Sequence, residues 1–354
     1  LLDFRATNKD FSVLTMEYMR YTEIVFDIGD KEKAILLANK GFLISCLRIL
    51  KDITDEDIKS FKNLYKLSLA CNKGITDVSA LENIKILDLN GCLNITDISA
   101  LKNIKNLNLR DCCNLTNIGT LENIKVLKLY NCRKITNINL LAHKNMEEFK
   151  LVDFCDTITD LSPLANSTIR YFKLHSYSGI TDLSPLAYAN IHTLCLDYCK
   201  NISDLSFITN STIHTLKIYS CDKISDLSPL TNSNVRVFIS FGCFEIKDLK
   251  FLVNSNIHTL ELDFYCDQIT DLSPLTRSNV KKFTLTNHMN IPDLSPLTHS
   301  NIQILELRGT ELFVDFSFII KSNIHTLKFT QCEYIGNLSF LIDSKSVHTL
   351  ELTE

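Results

Sequence analysis

Thirteen cysteines and nine histidines are the side chains of this 354-residue chain whose chemistry first asks for an explanation. Cysteine can bridge, ligate zinc or act as a nucleophile, and each use needs its own spacing. Most of these cysteines instead obey a period. Cys92, Cys112, Cys132, Cys199, Cys221, Cys243 and Cys332 stand five residues past the middle of a short L-x-L run, with Asn72 in the same column, and Cys155 and Cys266 fall one residue later. Neighbouring thiols in such a ladder lie ~4.8 Å apart, one strand spacing, but they do not converge on a point as paired C-x₂₋₄-C loops do around zinc. Cys195 and Cys199 have C-x₃-C spacing, yet Cys195 lies between the inward residues Leu194 and Leu196 and faces the other side; the adjacent Cys112 and Cys113 also point apart. The column therefore reads as structural: each side chain turns inward after a strand and satisfies carbonyls of the bend, as Asn does more strongly. An odd cysteine count, too dilute to staple a small scaffold, points to free thiols in a reducing compartment.

The histidines repeat too. His192, His214, His258, His325 and His348 each occupy the second place of I/V-H-T-L, which could make a metal-binding or pH-sensing stripe. Lys85, Lys105, Lys125, Arg170, Arg236, Lys281 and Gln303 fill the same slot, so it reads as a solvated polar edge, with no continuous track for nucleic acid. There is no P-loop, G-x-S-x-G elbow, H-E-x-x-H or G-x-G-x-x-G. Of nine glycines, Gly74, Gly91, Gly179, Gly242 and Gly309 fall at turns of the repeat, and the acids recur as helix-start residues. No catalytic residue, cofactor site or metal ligand is assigned, and the chain is read as non-enzymatic. A net charge of -4 gives no general field for a phosphate backbone, which disfavours nucleic acid as the main partner. Lys40 and Arg48 interrupt the most apolar stretch, residues 34–50, so no run reaches the ~18 residues of a membrane helix.

These residues are positioned by a repeat. The middle of each L-x-L run is Leu47, Leu67, Leu87, Leu107, Leu127, Phe149, Phe172, Leu194, Leu216, Phe238, Leu260, Phe283, Leu305, Leu327 and Leu350. The mean step of about 21.6 residues falls in the leucine-rich-repeat window of roughly 20 to 29. Two residues later the column is again apolar, Ser240 being the polar exception; alternation at period two makes each run a half-buried strand, and the repeats stack into a parallel sheet. Further on come an apolar residue and then Asp or Asn, as in Ile224 and Asp226, and five repeats continue as D-L-S-P-L with Pro163, Pro185, Pro229, Pro274 and Pro296. An acid that accepts the next free amides, followed by proline, starts a short helical or 3₁₀ turn. The fold expected is an α/β solenoid of 20–23-residue leucine-rich repeats. It has one long parallel sheet on the concave face and a short helical, 3₁₀ or extended convex side, and forms a gently curved arc on the order of 70 Å. Residues 1–42 are read as a partial F-box-like segment and N-terminal cap, and residues 43–354 as a solenoid of about 14 repeats.

Two resemblances follow from these motifs. L-L-x-x-R-x-x-N-K-x-F, carried by Leu1, Leu2, Arg5, Asn8, Lys9 and Phe11, resembles the C-terminal half of an F-box, with Asn8 where the family has Cys and without the preceding L-P-x-E-I helix. With residues 53–69 and the I-T-D repeats, the chain is similar to F-box/leucine-rich-repeat proteins, including those of amoeba-infecting large DNA viruses. That resemblance implies that Leu1, Leu2, Arg5, Lys9 and Phe11 dock on a Skp-type adaptor of a cullin–RING ubiquitin ligase while the repeats hold the substrate, in the cytoplasm or, for a viral protein, the host cytoplasm. The D-L-S-P-L-x-N unit over residues 158–301 resembles the internalin type of bacterial surface protein, which implies an adhesion or scaffold protein without a ligase role.

A solenoid's concave face displays the residues one before, one after and three after each strand centre. Here these include Tyr171, Lys173, His175, Lys217, Tyr219, Ile239, Phe241 and Asp263, with Lys128, Tyr130 and Lys150 to one side and Tyr198 and Phe264 at strand ends. Aromatics on a polar face are candidate anchors for a protein ligand bound by a monomer. Around Ser240 two arrangements are open: a local slip or bulge that turns Ile239 and Phe241 inward, or a regular strand that leaves both as an exposed patch.

Overall fold

The computed structural model describes residues 26–28, 31–39, 46–49, 53–119, 121–142, 146–153, 155, 157–175, 179–263, 268–286, 293–309, 311–312, 315–332, 334–335 and 338–353. The chain divides into two compact units, Leu1–Leu140 and Leu141–Glu354. The boundary expected near residue 42 lies outside the described residues.

In the first unit the strands β1 (Phe26–Ile28), β2 (Cys46–Ile49), β3 (Lys66–Ser68), β4 (Ile86–Asp88), β5 (Asn106–Arg110) and β6 (Val126–Tyr130) follow one another in parallel. Leu47, Leu67, Leu87, Leu107 and Leu127 stand opposite one another in register. The structure adds a rung upstream of the first one that the repeat reveals: Phe26 pairs with Leu47, and helix α1 (Lys31–Asn39) runs between the two strands. The α2 turn (Asp55–Ile58), with a capping box between Thr54 and Asp57, returns the chain toward β3.

The second unit contains β7 (Glu148–Val152), β8 (Tyr171–His175), β9 (Thr193–Asp197), β10 (Thr215–Tyr219), β11 (Val237–Phe241), β12 (Thr259–Asp263), β13 (Lys282–Thr286), β14 (Ile304–Arg308), β16 (Thr326–Thr330) and β18 (Thr349–Thr353), again parallel and in chain order. Two short strands, β15 (Glu311–Leu312) and β17 (Tyr334–Ile335), pair separately. The central residues from Phe149 to Leu350 form one continuous line of partners. Burial alternates as the period-two pattern requires; in β10, Leu216 and Ile218 are buried while Thr215, Lys217 and Tyr219 are partly exposed.

Each rung closes its own slice of core. Leu216, Ile218, Cys221, Ile224 and Leu230 are fully buried, and Phe149 stacks on Phe172 at 5.5 Å between ring centroids in the next rung. In β18 the residues of the same columns, Leu350 and Leu352, are 38% and 58% exposed.

Where the residue four past a strand centre is described, it has positive φ: Asp111 (58°), Asn131 (52°), Tyr198 (52°), Ser220 (49°), Gly242 (66°) and Gln331 (54°) among others. This left-handed residue swings the next side chain inward, and that is the cysteine column. Cys92 donates its S–H to the Leu69 carbonyl (3.2 Å), Cys112 to that of Leu89 (3.3 Å), Cys132 to that of Leu109 (2.7 Å) and Cys199 to that of Leu174 (3.4 Å). Each of these four bonds runs from one rung to an inward residue of the rung before. Asn72 makes the link the other way round: its Nδ2 donates to the Leu69 carbonyl of its own rung at 3.0 Å, and its Oδ1 accepts from the Ile53 amide of the rung before at 3.0 Å. Burial pushes the Cys92 thiol up to about 12 and raises that of Cys112 as well. The side-chain hydrogen bond with Cys199, with burial second, drives that of Cys221 upward. The reduced thiol is thus the working form, since only S–H can donate. Cys266 lies outside the described residues.

On the return side the acids of the D-x-S phrase open 3₁₀ turns such as Ser184–Tyr188 and Ser228–Asn232. Asp97 accepts from the Ser99 amide at 2.7 Å and its hydroxyl at 2.9 Å, and Asp160 bonds Ser162 in the same way. Two further polar columns close the turn in the second unit. Ser211 donates to the Ile208 carbonyl (2.9 Å), and Asn234 of the next rung donates to the Ser211 carbonyl (2.8 Å), a pattern that Asn256, Asn279, Asn301 and Asn323 repeat.

Two outcomes follow from these ladders. The Ser amide first and the Ser hydroxyl second hold the carboxyls of Asp97, Asp160, Asp226 and Asp315 below the usual aspartate value. Their contribution is complete above the unfolded value near 4 and is lost as pH falls through the folded one. Thermal melting followed by circular dichroism should be flat from neutral pH down to about 5 and then fall, and replacing all four with Asn should flatten that acid limb. Native alkylation with peptide mapping should label exposed Cys71 at least about tenfold faster than Cys92 or Cys112, with the difference vanishing in denaturant.

Candidate functional site

The side chains free of these structural duties are those on the outward face of the sheet. In the second unit they form three parallel lines, one before, one after and three after the strand centres, with register fixing each neighbour. Lys150, Lys173, Cys195, Lys217, Ile239 and Glu261 make up the middle line. Cys195, 3% exposed, does face outward as its position in the strand implies, and burial pushes its thiol up to about 11.

Electrostatics divides this face. Lys150 lies 5.3 Å over the Tyr171 ring and pairs with Glu148 at 2.7 Å. Lys173 pairs with Asp197 at 2.7 Å; burial lowers its pKa, but the hydrogen bond and charge of Asp197 outweigh that and the net shift is upward. His175 lies 3.5 Å from Asp153 and packs against the Tyr198 ring at 5.4 Å. Further along, Arg308 bonds Glu306 at 2.6 Å and Glu261 at 3.0 Å, and Lys282 reaches Glu306 at 3.1 Å. Lys217, between Cys195 and Ile239, has no ion pair among the described residues.

The structure resolves the two arrangements open at Ser240. Strand β11 does not slip: Ile218 faces Ser240, Ser240 faces Leu262, and Ile239 and Phe241 stay outward opposite Lys217 and Tyr219. Ser240 is fully buried with the Cys243 thiol as its hydrogen-bonding neighbour, so the inward column accepts a polar residue rather than a bulge. Phe241 packs on Tyr219 at 5.5 Å with rings tilted by 37°. Burial first, then the charges of Cys195, Glu261 and Asp197, push the Tyr219 hydroxyl up to about 12, so it is a neutral donor at physiological pH. Tyr219, Ile239 and Phe241 form a half-buried apolar cluster between the lysine side and the acid–arginine network.

The remaining expected residues separate. Tyr198 is 44% exposed and holds a left-handed backbone (φ 52°), a strained choice for an aromatic residue. Asp263 is buried at 6% exposure, and both its oxygens accept from the Gly242 amide at 2.8 and 2.9 Å, which makes it a turn clasp. Gly242 fits there because a Cβ would stand 2.8 Å from the Ser220 hydroxyl. Tyr130 belongs to the first unit, where Arg110 lies 5.8 Å over its ring. Phe264 and the F-box-like Leu1, Leu2, Arg5, Lys9 and Phe11 lie outside the described residues. Among the described residues no helix is long and apolar enough to cross a membrane.

No protein-family model and no curated protein matches this sequence. Among solved structures the chain is similar to an internalin of Listeria monocytogenes strain 4b F2365, at 26% identity over 86% of this chain and 84% of that one, with a TM-score of 0.51. It is also similar to a leucine-rich-repeat protein of Leptospira interrogans (15% identity, 94% and 89% covered, TM-score 0.48). A third similar structure is the functional domain of InlJ from Listeria monocytogenes, which includes a cysteine ladder (22% identity, 81% and 60% covered, TM-score 0.41). The rung register and the first of these likenesses make the fold a leucine-rich-repeat solenoid, a fold used for protein interaction.

Proposed function

We propose that this chain is a protein-interaction module whose second unit grips a partner polypeptide with the outward face of its sheet. The observation that carries the reading is the regular strand at Ser240. It leaves Ile239 and Phe241 beside Tyr219 on the outward face while a serine, the polar exception of its column, takes the buried inward slot. Aromatic anchors ringed by polar groups are the usual composition of an energetic centre in an interface. Tyr171, Lys173, His175, Lys217 and Lys150 form its basic flank, and Tyr198 is held over the strand end in a conformation that a Gly or Asn would adopt with less strain. Asp263, the acid of this face, is held by its bond from the Gly242 amide.

The use of this grip is, in our reading, substrate recruitment for a cullin–RING ubiquitin ligase, with the F-box-like N-terminal residues meeting a Skp-type adaptor and the chain acting as a monomer. The thiol ladder supports a reducing compartment such as the host cytoplasm, because an oxidised sulfur loses the hydrogen with which it bonds the neighbouring rung. The likeness to an internalin favours a second reading, an adhesion or scaffold protein with no ligase role. Co-precipitation of the full-length protein with a Skp-type adaptor distinguishes the two: retention supports recruitment, and its absence leaves the scaffold.

Four substitutions test the face itself. Phe241→Ala and Tyr219→Ala should each strip proteins captured by the immobilised wild-type chain, lowering affinity about tenfold or more while the melting temperature holds. Leu216→Ala should cost about 2 to 5 kcal/mol of stability through its cavity. Ser240→Ala, which removes an inward hydroxyl and no outward side chain, should leave capture intact. Equal unfolding by all of them would mean that the facing is reversed.

A further inference from the structure

A second surface lies away from the outward face, at the strand entrances of the second unit. Two residues before successive strand centres stand Arg170, His192, His214, Arg236, His258 and Lys281, and past Gln303 the line resumes with His325 and His348. Their backbones are laddered: the His192 amide donates to the Arg170 carbonyl, His214 to His192, Arg236 to His214, His258 to Arg236 and Lys281 to His258, all at 2.8 or 2.9 Å. Successive side chains are therefore one strand spacing apart, ~4.8 Å, and all are exposed or half-exposed. The imidazoles of His192 and His214 stack at 5.3 Å with 15° between their planes.

Hydrogen bonding orients these rings. His192 Nδ1 lies 2.9 Å from the Asn190 carbonyl and His214 Nδ1 lies 2.8 Å from the Thr212 carbonyl. A carbonyl only accepts, so Nδ1 carries the hydrogen and Nε2 faces solvent; the proton added in acid appears on the outward side of each ring. The groups around the line do not cancel that charge. The adjoining outward column contributes Tyr171 and Lys282, the ends of the 3₁₀ turns contribute Arg277, His299 and Lys321, and the intervening column is Thr and Asn. The acids on the flanking elements are Glu147 at one end of the line, Asp343 at the other, Glu148, which pairs with Lys150, and Glu306, which pairs with Lys282 and Arg308. None of the eight residues of the line forms an ion pair among the described residues. Three of the six contiguous rungs are cationic at neutral pH, and all six are so once the histidines are protonated. Protonating all nine histidines of the chain also takes its formal net charge from -4 to +5, one unit each.

Beside the line runs an open groove of about 520 Å³, flanked by His258, Asn279, Asn301, Gln303 and Asn323. The Asn side-chain N–H groups already bond Ser carbonyls of the preceding rung, which leaves their oxygens to accept. The groove contains no Tyr, Phe or Trp on which a nucleobase could stack. An extended acidic polypeptide meets both conditions: its carboxylates remain ionised while imidazole protonates, and its backbone amides suit the carboxamide oxygens.

We propose that this line is a pH-gated docking surface for an acidic polypeptide segment, weak at neutral pH and engaged as the pH falls toward 5.5. It goes beyond the proposed grip on the outward face and does not require it. The test is fluorescence anisotropy of the full chain with labelled poly-L-aspartate of about twenty residues at about pH 7.5 and 5.5. Binding should be at least about tenfold tighter at the lower pH and should weaken with salt. Joint replacement of His192, His214 and His258 with Gln should abolish the pH gain, joint replacement with Arg should give the acid-level affinity already at pH 7.5, and Phe241→Ala should change neither. Unaltered melting of the Gln and Arg variants separates a binding effect from unfolding. No binding at either pH, equal binding at both, a pH gain that survives the Gln variant, or tighter binding of a single-stranded oligonucleotide or an anionic phospholipid vesicle would each overturn the proposal.

Discussion

Everything in each unit depends on turning the chain twice per rung without stranding buried backbone polar groups. A strand in a parallel stack satisfies its own N–H and C=O groups through its neighbours, but the bend that follows lies inside the rung, where an unmatched carbonyl costs roughly 1 to 3 kcal/mol. Two devices in sequence meet that demand. A residue of positive φ reverses the chain, and the next side chain reaches back to the preceding rung, through sulfur to a carbonyl at Cys92, Cys112 and Cys132 and through the carboxamide oxygen of Asn72 to the Ile53 amide. Because the donor and acceptor belong to different rungs, satisfying the bend also fixes the register between rungs.

That coupling makes stability a matter of neighbours. The Ser and Asn columns on the return side repeat the arrangement, since Asn234 bonds the Ser211 carbonyl one rung back just as Cys199 bonds that of Leu174. With both bends locked from inside, no outward side chain is required for closure, apart from a few such as Asp263 that are recruited to a turn. The outward face and the line of strand entrances are therefore open to change in ways that the interior is not.

How much of this the sequence discloses depends on whether a column has one chemistry. The strand centres and the Asp column are legible because one kind of residue fills each slot in nearly every rung; register and Asx turns follow directly. The cysteine column is legible for the same reason. The left-handed column is harder to see, for Cys71, Gly91, Asp111, Asn131, Tyr198 and Gln331 share a backbone angle rather than a side-chain type; the recurrence of Gly, Asn and Asp in it is the signal that could have exposed it. The rung at Phe26 is hidden because α1 replaces the short return turn of later repeats, so no D-x-S phrase marks it. At Ser240 composition alone allows both a slip and a patch, and the continuous pairing of β10, β11 and β12 decides between them.

The same pairing explains why a polar defect is tolerated there. A slip by one residue in β11 would bury Ile239 and Phe241 but would move Phe238 out of the line of central residues, where it packs edge-on against Phe251 at 5.6 Å. It would also displace Cys243 from its bond to the Ile218 carbonyl and Gly242 from the carboxylate of Asp263. One buried hydroxyl is a smaller loss than three contacts, two of which are shared with neighbouring rungs. Register set by the whole stack therefore dictates the facing of a single strand, and an apolar pair that the strand cannot turn inward becomes surface available for a partner.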